Sequence, residues 1–131
     1  MNKTIFIICP VTIATDEIRE RLEKYTEQLE NDGYKVHLPH RDTNQKQSLF
    51  DICKQNMNAI LAADEVHIFY NSKSKGIHFD IGMTFVSCMM GFDEIVGFDE
   101  YMTKIKVIET EEDGEGKSFV EMLNAWVTEQ T

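Results

Sequence analysis

The sequence predicts an α/β fold, a three-layer sandwich around a largely parallel five-stranded sheet, with residues 1–131 forming a single domain. Three observations carry that expectation. Thr4–Cys9 (TIFIIC) is an unbroken β-branched and aromatic run, the mark of a strand covered on both faces. Strand runs alternate with helically spaced apolar residues in the order βαβαβαββα, and right-handed crossovers would place helices on both faces. The length and a hydrophobic content of 42% suffice for a core, because a chain of this size buries roughly two-thirds of its unfolded surface.

Each element has a local reason. Pro10 ends the first strand, since proline cannot donate to a ladder. Thr15 or Asp16 can cap a helix whose Ile18, Leu22, Tyr25 and Leu29 recur at helical spacing, and Gly33 stands where a glycine stops a helix. Tyr34–Leu38 makes a second short strand, broken by Pro39. Ser48 and Asp51 form a capping pair for a helix to about Leu61, with Leu49, Ile52, Cys53, Met57 and Ile60 expected inward. Glu65–Tyr70 is the third strand, Asn71–Gly76 (NSKSKG) a polar loop, and Ile77 to about Met90 the third helix. Glu94–Phe98 and Lys104–Glu109 read as strands four and five, although only Asp99–Thr103 link them, too few residues for a helical crossover. Glu111–Gly116 is a solvated turn, and Ser118 with Glu121 caps a last helix carrying Phe119, Met122, Leu123, Trp126 and Val127.

The composition excludes several classes. A net charge of −10 argues against a nucleic-acid polymer or an anionic membrane as partner, because phosphate backbones need a basic face. A single small phosphorylated ligand needs only local donors and is still allowed. No apolar run is long enough to span a bilayer, and no basic-then-apolar leader precedes the first strand. Three widely spaced cysteines, at 9, 53 and 88, read as reduced thiols, which points to the cytoplasm. The histidines at 37, 40, 67 and 78 show no metal-ligand spacing, and no GxGxxG, Walker A or GxSxG motif is present.

In an open parallel sheet, ligands bind at the carboxyl ends of the strands. Here those ends are Cys9, Pro10, Val11 and Thr12, then Leu38–Asp42, then Asn71–Gly76. Lys73, Ser74, Lys75 and Gly76 directly precede a helix, where ammonium groups, a hydroxyl and free N–H groups could hold an anion or could form an ordinary polar loop. Two polar residues interrupt apolar helix stripes. Asp80 lies on the face of Ile77, Ile81, Phe85 and Cys88, and in a first turn the dipole would tolerate its charge. Asn56 lies between Cys53 and Ile60 and reads as an inward amide. Each is either a satisfied structural group or a ligand contact. His78, two residues before Asp80, is a further candidate contact.

The segment Ala63–Val66 entering a strand, followed by Ser74-Lys75-Gly76-Ile77-His78-Phe79-Asp80-Ile81-Gly82-Met83, resembles the nucleoside 2-deoxyribosyltransferase superfamily. It is also similar to the related deoxynucleoside 5′-monophosphate N-glycosidases. With the opening strand and the element order, the likeness covers roughly Thr4–Gly91. The resemblance implies a flavodoxin-like sandwich, a homodimer or higher homo-oligomer with composite sites, and no metal or organic cofactor. It also implies attack of a carboxylate on C1′ of a nucleoside or nucleotide, with the base then replaced by another base or by water.

Carried over by position, Asp80 would be the nucleophile, Asn56 a base contact, and Ser74 with Lys73, Lys75 and Gly76 the phosphate or sugar cradle. Three departures accompany this. Asp80 replaces a glutamate, which retracts the carboxylate, and a misplacement of about 1 Å can cost ~100-fold in rate. Asn56 stands where the family has a catalytic aspartate, and an amide cannot act as a general base. Phe6 stands near a tyrosine that some transferases use to steer the nucleophile. Cleavage or transfer at an N-glycosidic bond and a catalytically inactive nucleotide-binding module are the two readings left open.

Overall fold

Residues 3–93, 103–112 and 118–130 are described by a computed structural model of the chain. Among them four strands, β1 (Thr4–Ile8), β2 (Lys35–His37), β3 (Glu65–Asn71) and β4 (Lys104–Glu111), form one sheet in the order β2-β1-β3-β4. Every pairing is parallel. The sheet described therefore has four strands where the sequence predicts five, and the strand expected over Glu94–Phe98 lies outside the described residues.

Among the described residues five helices accompany the strands: α1 (Asp16–Asn31), α2 (Pro39–Asp42), α3 (Leu49–Ala62), α4 (Lys75–Asp93) and α5 (Phe119–Gln130). Their boundaries follow side-chain chemistry. Thr15 Oγ1 accepts from the Ile18 amide, Ser48 Oγ from Asp51, and Ser118 Oγ from Glu121, each at 3.2 Å. Gly33 ends α1 at a φ of 98°, a left-handed value that costs a glycine little. Pro39 takes the first position of α2, where its missing N–H is no loss.

The alternating side chains of β1 divide the interior in two. Ile5, Ile7 and Cys9 pack with Leu22 of α1, Val36 and Phe69. Phe6 and Ile8 pack with Ile60 of α3, Ile77 and Ile81 of α4, and Leu123 and Trp126 of α5. A helix layer thus covers each face, which is why β1 carries no polar residue inward on either side.

Two helices sit differently from their predicted orientations. In α3 the buried positions are Asn56 and Ile60, while Leu49 is 82% exposed and Met57 also faces outward. The apolar residues of α3 span more than one face, so the sheet can take only part of them. In α4 the buried stripe runs Ile77, Asp80, Ile81, Thr84 and Cys88. Thr84 replaces Phe85 there, because its hydroxyl donates to the Asp80 carbonyl at 2.8 Å, while Phe85 lies against Trp126 nearer the surface.

Candidate functional site

A cavity of about 480 Å³ opens at the carboxyl end of β1, between α3 and the start of α4. That is where a parallel sheet leaves a crevice. Cys9, Asn56, Lys73, Ser74, Lys75, Gly76 and Asp80 all line it. Pro10 is buried beside Cys9 and does not line the cavity. His78 does not line it either. Its Nδ1–H donates to the Ser74 carbonyl at 2.7 Å, its Nε2 meets the Tyr70 hydroxyl at 2.9 Å, and its ring lies edge-on to Phe119. These contacts hold the ring against β3 and α5.

Asp80 is only 8% exposed, and its carboxylate makes no hydrogen bond or ion pair with any described residue. Burial pushes its pKa up to about 7. Because α4 begins at Lys75, two residues earlier than predicted, Asp80 sits in the second turn. It therefore lies beyond the free N–H groups of the first turn, where the dipole would have held its charge more easily. Cys9, beside it, is pushed up to about 12, by burial first and by the Asp80 charge second. That thiol keeps its proton near neutral pH and is no nucleophile there.

The cradle is built by the turn before α4. Asn71 Oδ1 accepts from the Lys73 amide at 2.9 Å, and the Ser74 amide donates to the Asn71 carbonyl at 3.1 Å. Ser74 Oγ then accepts from the Ile77 amide at 3.3 Å, so the serine expected to touch phosphate also caps the helix. Lys73 and Lys75 are exposed and line the cavity mouth.

Opposite stands Asn56. Thr43 Oγ1 donates to its Oδ1 at 2.7 Å, and the same hydroxyl meets His37 Nε2 at 2.7 Å. Neither Thr43 nor His37 is singled out by the sequence, because a loop residue and a strand residue show no shared period. Burial lowers the His37 pKa, outweighing the opposing pull of Asp42. Leu49, Ile52 and Phe79 supply an apolar wall to the cavity. Only Phe79 carried a signal, by adjoining the Asp80 motif. Among the described residues no cluster of His, Cys, Asp and Glu is arranged to hold a metal ion.

No protein-family profile matches the chain, and no curated protein matches it. Among solved structures the chain is similar to the CMP N-glycosidase BcmB of Clostridium botulinum, with a TM-score of 0.61 and 20% sequence identity. That likeness covers 94% of this chain and 81% of the other. At this identity it is a likeness of fold: an α/β architecture with a parallel sheet that also supports an N-glycosidase.

Proposed function

We propose that the protein cleaves the N-glycosidic bond of a nucleoside 5′-monophosphate, with Asp80 as nucleophile. The observation that carries this is a buried carboxylate without a hydrogen-bond donor among the described residues, facing a nucleotide-sized cavity between Asn56 and the Lys73–Gly76 cradle. The CMP N-glycosidase fold and the residues around Asp80 that resemble the deoxyribosyltransferases support the same reading.

In the first step an Asp80 oxygen bonds to C1′ as the C1′–N bond breaks, and the electron pair leaves with the base. Water then attacks C1′, Asp80 departs as carboxylate, and the water's proton passes to solvent or to the base. Lys73, Lys75 and the first N–H groups of α4 hold the 5′-phosphate. A second base in place of water would make the protein a transferase. The competing reading, a nucleotide-binding module without turnover, draws its support from Asn56, since among the described residues no carboxylic acid faces Asp80 across the cavity.

The test is free base, followed by chromatography, from nucleosides and their 5′-monophosphates with and without acceptor bases. Release is expected from monophosphates, rising with pH through about 7 as Asp80 ionises, and absent in Asp80→Ala. No release from any substrate, with a nucleotide nevertheless bound, would establish the binding module instead.

We further propose that the protein works as a homodimer in the cytoplasm. All three cysteines are free, and no described helix is long and apolar enough to cross a membrane. Phe50 and Leu61 of α3 and Phe79 and Val86 of α4 are each more than half exposed on two neighbouring helices beside the cavity. An apolar surface of this kind is what a second copy covers. Sedimentation should give a dimer, and Phe50→Glu with Val86→Glu should give a monomer. A wild-type monomer at tens of micromolar would reject the assembly.

A further inference from the structure

We infer that the His37–Thr43–Asn56 chain builds this site for a base that leaves as an anion. It fixes the Asn56 amide so that N–H groups, not the carbonyl oxygen, face the departing base. The inference rests on the glycosidic reading above and specifies its substrate class.

Thr43 is 4% exposed, and its hydroxyl has one proton. That proton goes to Asn56 Oδ1, so the His37 contact must run the other way, from Nε2–H to the Thr43 oxygen. His37 is itself held by stacking on Phe6, with ring centroids 5.1 Å apart and planes 15° from parallel. The Asn56 oxygen is therefore engaged away from the ligand. Asn56 is 8% exposed and lines the cavity, and its Nδ2 has no partner among the described residues. A nearly buried amide nitrogen without an acceptor needs one from whatever fills the cavity. The acceptor on a departing base is the ring nitrogen that keeps the electron pair, or a carbonyl oxygen conjugated with it.

An amide donates a hydrogen bond but does not give up the proton. In the bond-breaking step the Asp80 oxygen joins C1′, the pair moves onto the base, and no proton is transferred. The base leaves as an anion held by the Asn56 N–H groups and takes a proton from water afterwards. Such a step accelerates with the acidity of the free base, whereas protonation by a carboxylic acid would flatten that dependence.

The experiment compares release from 5-fluorouridine, uridine, 5-methyluridine and cytidine 5′-monophosphates, in the ribo and 2′-deoxyribo series. Release should fall in that order, with 5-fluorouracil leaving roughly tenfold or more faster than uracil and cytosine slowest. Asn56→Asp should compress the range and raise cytosine relative to uracil. Thr43→Val, which frees the amide to rotate, should lower kcat by about tenfold with KM little changed, and Thr43→Ser should restore it. Wild-type rates that are flat across the series, or cytosine leaving as fast as 5-fluorouracil, would overturn the inference and leave the glycosidic reading standing. No release from any of these nucleotides would overturn the inference, and no release from the purine 5′-monophosphates as well would overturn both.

Discussion

Glu65 and Asp80 expose similar fractions of their surface, 7% and 8%, near opposite ends of the sheet, with Asp80 the more deeply buried of the two. Glu65 opens β3 and is surrounded by donors. His67 Nε2 lies 2.9 Å from its carboxylate, Lys106 Nζ 3.5 Å and Lys3 Nζ 3.6 Å, while the Tyr25 hydroxyl secures the far nitrogen of His67 at 2.6 Å. Burial raises the Glu65 pKa, but the His67 hydrogen bond and the lysine charges outweigh it, and the carboxyl ends below its ordinary value. Asp80 has the burial without such partners among the described residues and ends at about 7. Low exposure alone therefore says little about what a carboxylate does; its depth and the donors around it decide together. One end of the sheet is a finished network that holds the fold, and the other is an unfinished one that a ligand can complete.

The largest test of that contrast removes the unbalanced carboxylate. Asp80→Asn should abolish base release, by on the order of 10³-fold or more, while making the folded state more stable. The Asp80 pKa is higher in the folded chain, about 7, than the ordinary 3.8. The folded state therefore holds that proton more tightly, and the Asp80 contribution to stability declines as pH rises from about 4 to about 7. Asp80→Asn escapes the decline, so its advantage should grow across that interval to on the order of 4 kcal/mol and then level off. Urea midpoints measured at several pH values would show it. Parallel curves for the two proteins would mean that Asp80 is not strained by burial, and the contrast with Glu65 would fail.

Much of this is legible in the sequence. The β1 run, the caps at Thr15, Ser48 and Ser118, and the stop at Gly33 are local features, and the structure places each where local chemistry requires it. Asp80 and Asn56 stood out because each breaks an apolar stripe, and both line the cavity. What was not legible depends on how elements dock. The outward turn of Leu49 and Met57 follows from which face of α3 the sheet accepts. The earlier start of α4, by two residues, follows from Ser74 taking the capping position. The Thr43 link between His37 and Asn56 exists only because β2, the segment after α2, and α3 meet there. His78 carries a motif position in the chain but is drawn to Tyr70 and Phe119, which are far from it or unremarkable in sequence.

A smaller effect of opposite sign should come from the other end of the sheet. Glu65→Ala leaves the buried His67 without its acceptor, and an unsatisfied buried donor costs about 1–3 kcal/mol, so this variant should be less stable than wild type at pH 7. Base release per folded molecule should be unchanged, because no Glu65 contact reaches the cavity. The pH dependence should also reverse. With its folded pKa below the ordinary 4.5, Glu65 adds stability above that value and loses it as pH falls through the folded one. The penalty of Glu65→Ala should therefore be present at neutral pH and shrink in acid. The effect of Asp80→Asn shrinks in acid too, but as the fading of a gain. Measured together across pH, the two substitutions bracket wild type from opposite sides, as a partnered carboxylate and a deeper one without partners among the described residues require.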